Sequence, residues 1–93
     1  MNVYWTNTAE KHLDCIYNYI VQDSIEYAQQ MVNRITRRTQ QIAVFPMSGR
    51  SVPEYESKKI REVIELPYRV IYLIKSNRID ILAVIHEAQN IKK

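Results

Sequence analysis

The last third of the chain alternates with a period of two. Arg61 to Glu65, Tyr68 to Ile74 and Ile79 to His86 are runs rich in Val, Ile, Leu and Tyr, interrupted by Leu66-Pro67 and by Lys75-Ser76-Asn77-Arg78. β-Branched and aromatic residues bounded by turn residues predict an antiparallel three-strand meander. Whether the second turn has two residues or four, Ile74 faces Ile79 and Tyr72 faces Ile81, and the side chains divide the same way. One face takes Tyr68, Val70, Tyr72 and Ile74 with Ile79, Ile81, Ala83 and Ile85; being wholly apolar or aromatic, it is the predicted core face. The other takes Arg69, Ile71 and Leu73 with Asp80, Leu82, Val84 and His86. Arg69, opposite Val84, then lies diagonal to His86, about 7 to 8 Å away. For the first turn, a three-residue loop around Leu66 is predicted. It puts Arg61 on the Arg69 face and leaves one charge, Glu62, rather than two on the core side, where an unpaired charge is costly.

Upstream the period lengthens. Val3-Tyr4-Trp5 predicts a short strand paired with the meander. Ala9, Leu13, Ile16, Tyr17 and Ile20 make one helical stripe, beginning near Asn7 or Thr8, where Asn7 and Glu10 have capping-box spacing. Asp23 and Glu26 repeat that spacing before a second helix, whose Ile25, Ala28, Val32, Ile35, Thr39 and Ile42 recur at steps of three and four. The short connection makes the two helices antiparallel. Phe45-Pro46 stops the second helix, and a proline-bounded loop, Met47 to Tyr55, presents Arg50 and Glu54 from a relatively rigid frame. Glu87 to Lys93 shows no strong pattern. The resulting architecture is α+β: a strand, a helical hairpin packed on one face of an antiparallel sheet, then three strands (β-α-α-β-β-β).

Composition narrows this only slightly. At 93 residues the chain makes one domain, 1–93, with no room for a second one to bind substrate. A charge of +3 permits a nucleic-acid or acidic-protein partner without requiring one. No apolar run nears the roughly 20 residues that span a bilayer, and no signal-peptide architecture precedes the first helix. Cys15, the single cysteine, has no disulfide partner, suits a reducing cytoplasm, and falls among helical apolar positions as a small buried hydrophobe. His12 is a surface histidine on this reading. Arg34, Arg37 and Arg38 suit the C-terminal half of their helix as a solvated face. There is no metal-ligand cluster, phosphate-binding glycine loop or implied cofactor.

The chemistry-bearing residues lie opposite the helices. Arg69 and His86 share the predicted uncovered face, with Glu54 on the loop. Arg50, Lys58 and Arg61 are candidate target-binding cations. Ile71, Leu73, Leu82 and Val84 form an apolar patch of the kind that marks a partner surface. Plain structural roles compete with each: Arg69 pairing with Asp80 or Glu54, His86 capped by a carbonyl, and Arg50 with Glu54 pinning the loop.

With these features in place, the chain resembles the RelE/ParE superfamily of bacterial toxins from type II toxin–antitoxin modules. The matching pieces are Ala9, Leu13, Ile16 and Tyr19-Ile20; Phe45-Pro46; Gly49-Arg50 with Val52-Pro53-Glu54; Ile60-Arg61-Glu62; Tyr68-Arg69-Val70-Ile71-Tyr72; and Ile79 to His86. The resemblance spans nearly the whole chain. It implies the RelE/ParE-like fold, a cognate antitoxin binding the apolar patch, and growth arrest by the free toxin. Two activities follow from different branches, so the resemblance leaves open whether the chain is an enzyme. RelE- and YoeB-like members cut mRNA on the ribosome, which would use Glu54 as base, Arg69 on the phosphate and His86 as acid. However, Glu87 stands where YoeB-like enzymes have tyrosine, and Ala88 to Lys93 offer no counterpart to the second arginine and terminal tyrosine of RelE. ParE-like members poison DNA gyrase and need no catalytic set; Val84-Ile85-His86 resembles the end of their last strand. The modest charge leans toward this branch, because binding within ribosomal RNA calls for many cationic contacts.

Overall fold

The computed structural model describes residues 1–89. Strand β1 (Asn2–Trp5) leads into helices α1 (Asn7–Ile20) and α2 (Ile25–Val44); a single 3-10 turn, Pro46–Ser48, precedes β2 (Arg50–Ser51), β3 (Ile60–Glu65), β4 (Tyr68–Ile74) and β5 (Arg78–His86). The sheet runs β1-β5-β4-β3-β2. The expected α+β hairpin-on-sheet architecture is present, with β2 added at one edge and β1 parallel to β5 at the other.

Both helices start one residue away from the expected caps. Thr6 accepts from the Ala9 N–H and Ser24 from the Tyr27 N–H, so hydroxyls satisfy the free donors. Ala9, Ile16, Ile20, Ala28, Met31, Ile35 and Ile42 pack onto Val63, Val70, Tyr72, Ile79, Ile81 and Val84. Met31 is buried in the place expected of Val32, which is half-buried; Ile25 is exposed, and Cys15 is exposed rather than buried.

Two register corrections decide where the chemistry sits. The first turn has two residues, Leu66 and Pro67, joined by a cis peptide bond, with Glu65 opposite Tyr68. Arg61 therefore falls on the helix side, and Glu62 on the far side with Arg69. Burial of Glu62 is tolerated on this side because the carboxylate is not unpaired: two arginines meet it there.

The second correction is a β-bulge. Ile74↔Ile79, Leu73↔Asp80 and Tyr72↔Ile81 pair as expected, but Ile71 then faces Ala83, leaving Leu82 as an extra residue. From there Val70 faces Val84 and Tyr68 faces His86. The bulge lies where β1 ends: the Thr6 N–H and hydroxyl both donate to the Ile81 carbonyl, and α1 then runs beside the β5 edge. His12 is no bystander, since its Nδ1 accepts from the Val84 N–H at 3.2 Å, capping that open edge. The shift puts Val84 in the helix-side core in place of Ala83 and Ile85.

The far side of the sheet is not bare. The segment after β2 folds back across it: Val52 and Ile71 are both buried, and Tyr55 lines a cavity with Ile71, Leu82 and Ala83. The tail expectation for Asn90 to Lys93 lies outside the described residues.

Candidate functional site

The far side holds an ion network rather than an open catalytic face. Arg69, 5% exposed, donates from Nε to Glu62 Oε1 at 2.6 Å and from Nη2 to Glu54 Oε1 at 2.9 Å. Its Nη1 donates to Glu54 Oε2 at 3.0 Å and to the Gln89 carbonyl at 2.8 Å. Four of the five guanidinium N–H groups are therefore occupied. Hydrogen bonding to Glu54, then to Glu62, holds the Arg69 pKa above its ordinary value against the opposing effect of burial. Glu62 is 1% exposed, and its second oxygen accepts from Arg50 Nε at 2.7 Å. Arg50, Pro53, Glu54, Ile64, Arg69 and Glu87 surround a cavity of about 610 Å³. Two carboxylates, Glu54 and Glu87, line it beside two arginines, Arg50 and Arg69, that are already paired with carboxylates, which disfavours a phosphate.

His86 is elsewhere. The bulge turns it to the helix side, where its ring meets Tyr68 edge-on at 6.1 Å and lines a cavity with His12 and Cys15. Its Nδ1 accepts from the Ala88 N–H. The structure thus brings Glu54 and Arg69 together and separates both from His86, contrary to the shared face expected for Arg69 and His86. Arg69 pairs with Glu54, one of the plain structural alternatives; Asp80 pairs instead with Lys75 and Arg78.

The candidate cations also have structural partners. Arg61 donates from Nε to the Lys58 carbonyl and from Nη1 to that of Gly49. Arg50 is exposed but bound to Glu62, and Lys58 is exposed. Gly49 lies so close to the sheet that a Cβ would sit 2.5 Å from Tyr72 Oη and 2.6 Å from the Glu62 carbonyl oxygen. Its N–H donates to Tyr72 Oη, which donates to the Pro46 carbonyl at 2.6 Å. Burial holds the Tyr72 hydroxyl above its ordinary pKa, so it stays protonated and able to donate. Of the expected apolar patch, Ile71 and Val84 are buried on opposite sides of the sheet, whereas Leu73 and Leu82 are half-buried.

Sequence reasoning missed Glu62 as the hub, the Gln89 carbonyl, and the lock between Tyr72 and Gly49. The hub was detectable: a two-residue turn at Leu66-Pro67 places Glu62 and Arg69 on one face by parity alone. The Gln89 contact had no sequence signal.

Comparison with known proteins adds a family. A sequence model described as the ParE toxin of type II toxin-antitoxin system, parDE, matches residues 3–91. The protein named "Putative toxin Y4kP" from Sinorhizobium fredii (strain NBRC 101917 / NGR234) is 36% identical over 87 residues, covering 91% of this chain and 86% of its own. A structure described as the chromosomal ParDE TA system from P. aeruginosa superposes with a TM-score of 0.74 at 26% identity, covering 92% of this chain and 95% of that one. The YoeB dimer from Staphylococcus aureus, with a TM-score of 0.60, 18% identity and the same coverages, shares the fold.

Proposed function

The chain belongs to the ParE toxin family of type II toxin–antitoxin systems, and from that premise we propose that it poisons DNA gyrase and is neutralised by a cognate antitoxin. The observation that carries the choice of target is the state of Arg69. A guanidinium that stabilises a phosphorane must present free N–H groups to it, whereas this one is engaged by Glu54, Glu62 and the Gln89 carbonyl. His86, the proposed acid of an mRNA endonuclease, projects on the other side of the sheet. The matching ParDE structure supports the same branch and an antitoxin partner. Leu73 and Leu82, half-buried, are the residues of the expected patch that an antitoxin segment would cover. No helix among the described residues is long and apolar enough to cross a membrane.

The test is direct. Purified toxin added to gyrase and relaxed plasmid should reduce supercoiling and accumulate cleaved DNA, while programmed ribosomes keep their mRNA intact. Cutting of mRNA within codons, with gyrase unaffected, would overturn the assignment.

A further inference from the structure

A second concave site lies at the opposite end of the helical hairpin from the 3-10 turn, where the end of α1, the start of α2 and the β3–β4 turn meet. Tyr19, Asp23, Tyr27, Met31, Pro67 and Tyr68 line a cavity of about 230 Å³. That is below the roughly 300 Å³ at which small-molecule sites begin, and suits one inserted side chain. Tyr19 and Tyr27 are 71% and 51% exposed, a large aromatic outlay on a surface. Tyr19, Tyr27 and Tyr68 all line this one cavity, and burial, then the neighbouring phenols of Tyr27 and Tyr19, push the Tyr68 hydroxyl above its ordinary pKa.

The one formal charge among the residues lining the cleft is negative. The Asp23 carboxylate stands in its wall with no ion-pair partner among the described residues, in a turn fixed by the Asp23 N–H donating to the Ile20 carbonyl. The last turn of α1 holds no basic residue, and Glu26 in the first turn of α2 offsets the partial positive charge of that helix start. Arg34, one turn beyond Met31, is bound to Glu65 and the Leu66 carbonyl and does not line the cleft. Phenol faces and a carboxylate both attract a cation, and a planar one stacks on tyrosine better than an ammonium does.

We propose that this tyrosine cleft receives an arginine side chain from a partner protein segment, the guanidinium lying among Tyr19, Tyr27 and Tyr68 with Asp23 as counter-ion. The site lies on the helix side of the sheet, across from the Arg69 network, and does not depend on the gyrase reading.

The experiment is a titration of the ¹⁵N-labelled chain with a blocked Gly-Gly-Arg-Gly-Gly peptide and with its citrulline twin, which keeps the shape and loses the charge. Saturable shifts are expected at the Tyr19, Asp23, Tyr27 and Tyr68 amides, with the citrulline peptide bound at least about threefold more weakly. Asp23→Asn should remove most of that preference, and Tyr27→Ala should weaken the arginine peptide while leaving the amide spectrum of the core unchanged. Equal binding of the two peptides, shifts centred elsewhere, or no saturable shift at all would each overturn the proposal.

Discussion

On the helix side of the sheet, Val63, Val70, Tyr72, Ile79, Ile81 and Val84 meet Ile16, Met31 and Ile35 across an apolar interface. On the far side, Arg69 and Glu62 are as deeply buried, yet they are closed in by each other, by Glu54 and Arg50, and by the loop that carries Val52 and Tyr55. The first side is held by many small, nearly independent contributions. The second is held by a few mutually dependent ones, because each charge is tolerable only while its partner is present. The sharpest way to break this contrast is Arg69→Ala, which strands Glu62 with the exposed Arg50 alone. It should cost about 3 to 5 kcal/mol in urea denaturation. Ile35→Ala, on the apolar side, should cost about 2 to 5 kcal/mol. The two differ in how they are rescued. Replacing both charges, as in Arg69→Met with Glu62→Leu, should restore part of the stability, since a packed apolar pair can equal a buried ion pair while Glu54 still loses its two bonds from Arg69. A single Arg69→Ala cost below about 1 kcal/mol would show that charge does not close the far side. The double variant also sharpens the functional reading: growth arrest that survives it cannot use Arg69 as a phosphate ligand.

The next largest effect lies where the loop meets the sheet. Gly49 has φ −75°, so its backbone suits any residue, and the demand for glycine comes from contact alone. Gly49→Ala drives a methyl against Tyr72 Oη, which is itself held by the Pro46 carbonyl and cannot swing aside freely. The expected loss is about 1 to 3 kcal/mol, measured as a lower urea midpoint. Adding Tyr72→Phe should recover part of it at most, because the second clash, with the Glu62 carbonyl oxygen, is with backbone.

The same contrast explains what the sequence disclosed. The helix side was legible because burial of apolar groups imposes a period, and Ala9, Ile16, Ile20, Ala28, Ile35 and Ile42 recur at that period and are buried. The far side was legible in composition and opaque in arrangement. Glu54, Arg69 and Arg50 stood out as candidates, but their grouping depends on parity, and parity changed twice: once at Leu66-Pro67, once at Leu82. A one-residue shift leaves apolar content nearly unchanged, Val84 replacing Ala83 and Ile85 in the core, yet it moves His86 to the other side of the sheet. Nothing local in Ile81-Leu82-Ala83 announces the bulge. Its setting is tertiary, the departure of β1 at Trp5 and the capping of the Val84 N–H by His12.

The smallest effect separates two buried carboxylates on the far side. Glu62 is 0% exposed at its side chain and is held by Arg69, itself buried; Asp80 is 7% exposed, but its partners Lys75 and Arg78 are each 42% exposed. The hydrogen bond from Lys75, with help from the charge of Arg78 and against the effect of burial, lowers the Asp80 pKa. A native pKa below the unfolded value of about 3.9 means that the unfolded chain binds the proton more readily. The stabilisation is therefore present above that value and is lost as pH falls through the lower native one. With half-exposed cations it should amount to under about 1 kcal/mol and weaken further in salt. In urea titrations at about pH 5 and about pH 2.5, Asp80→Asn should lose less stability on acidification than the wild type. Superimposable pH profiles would mean that Asp80 contributes nothing to acid sensitivity.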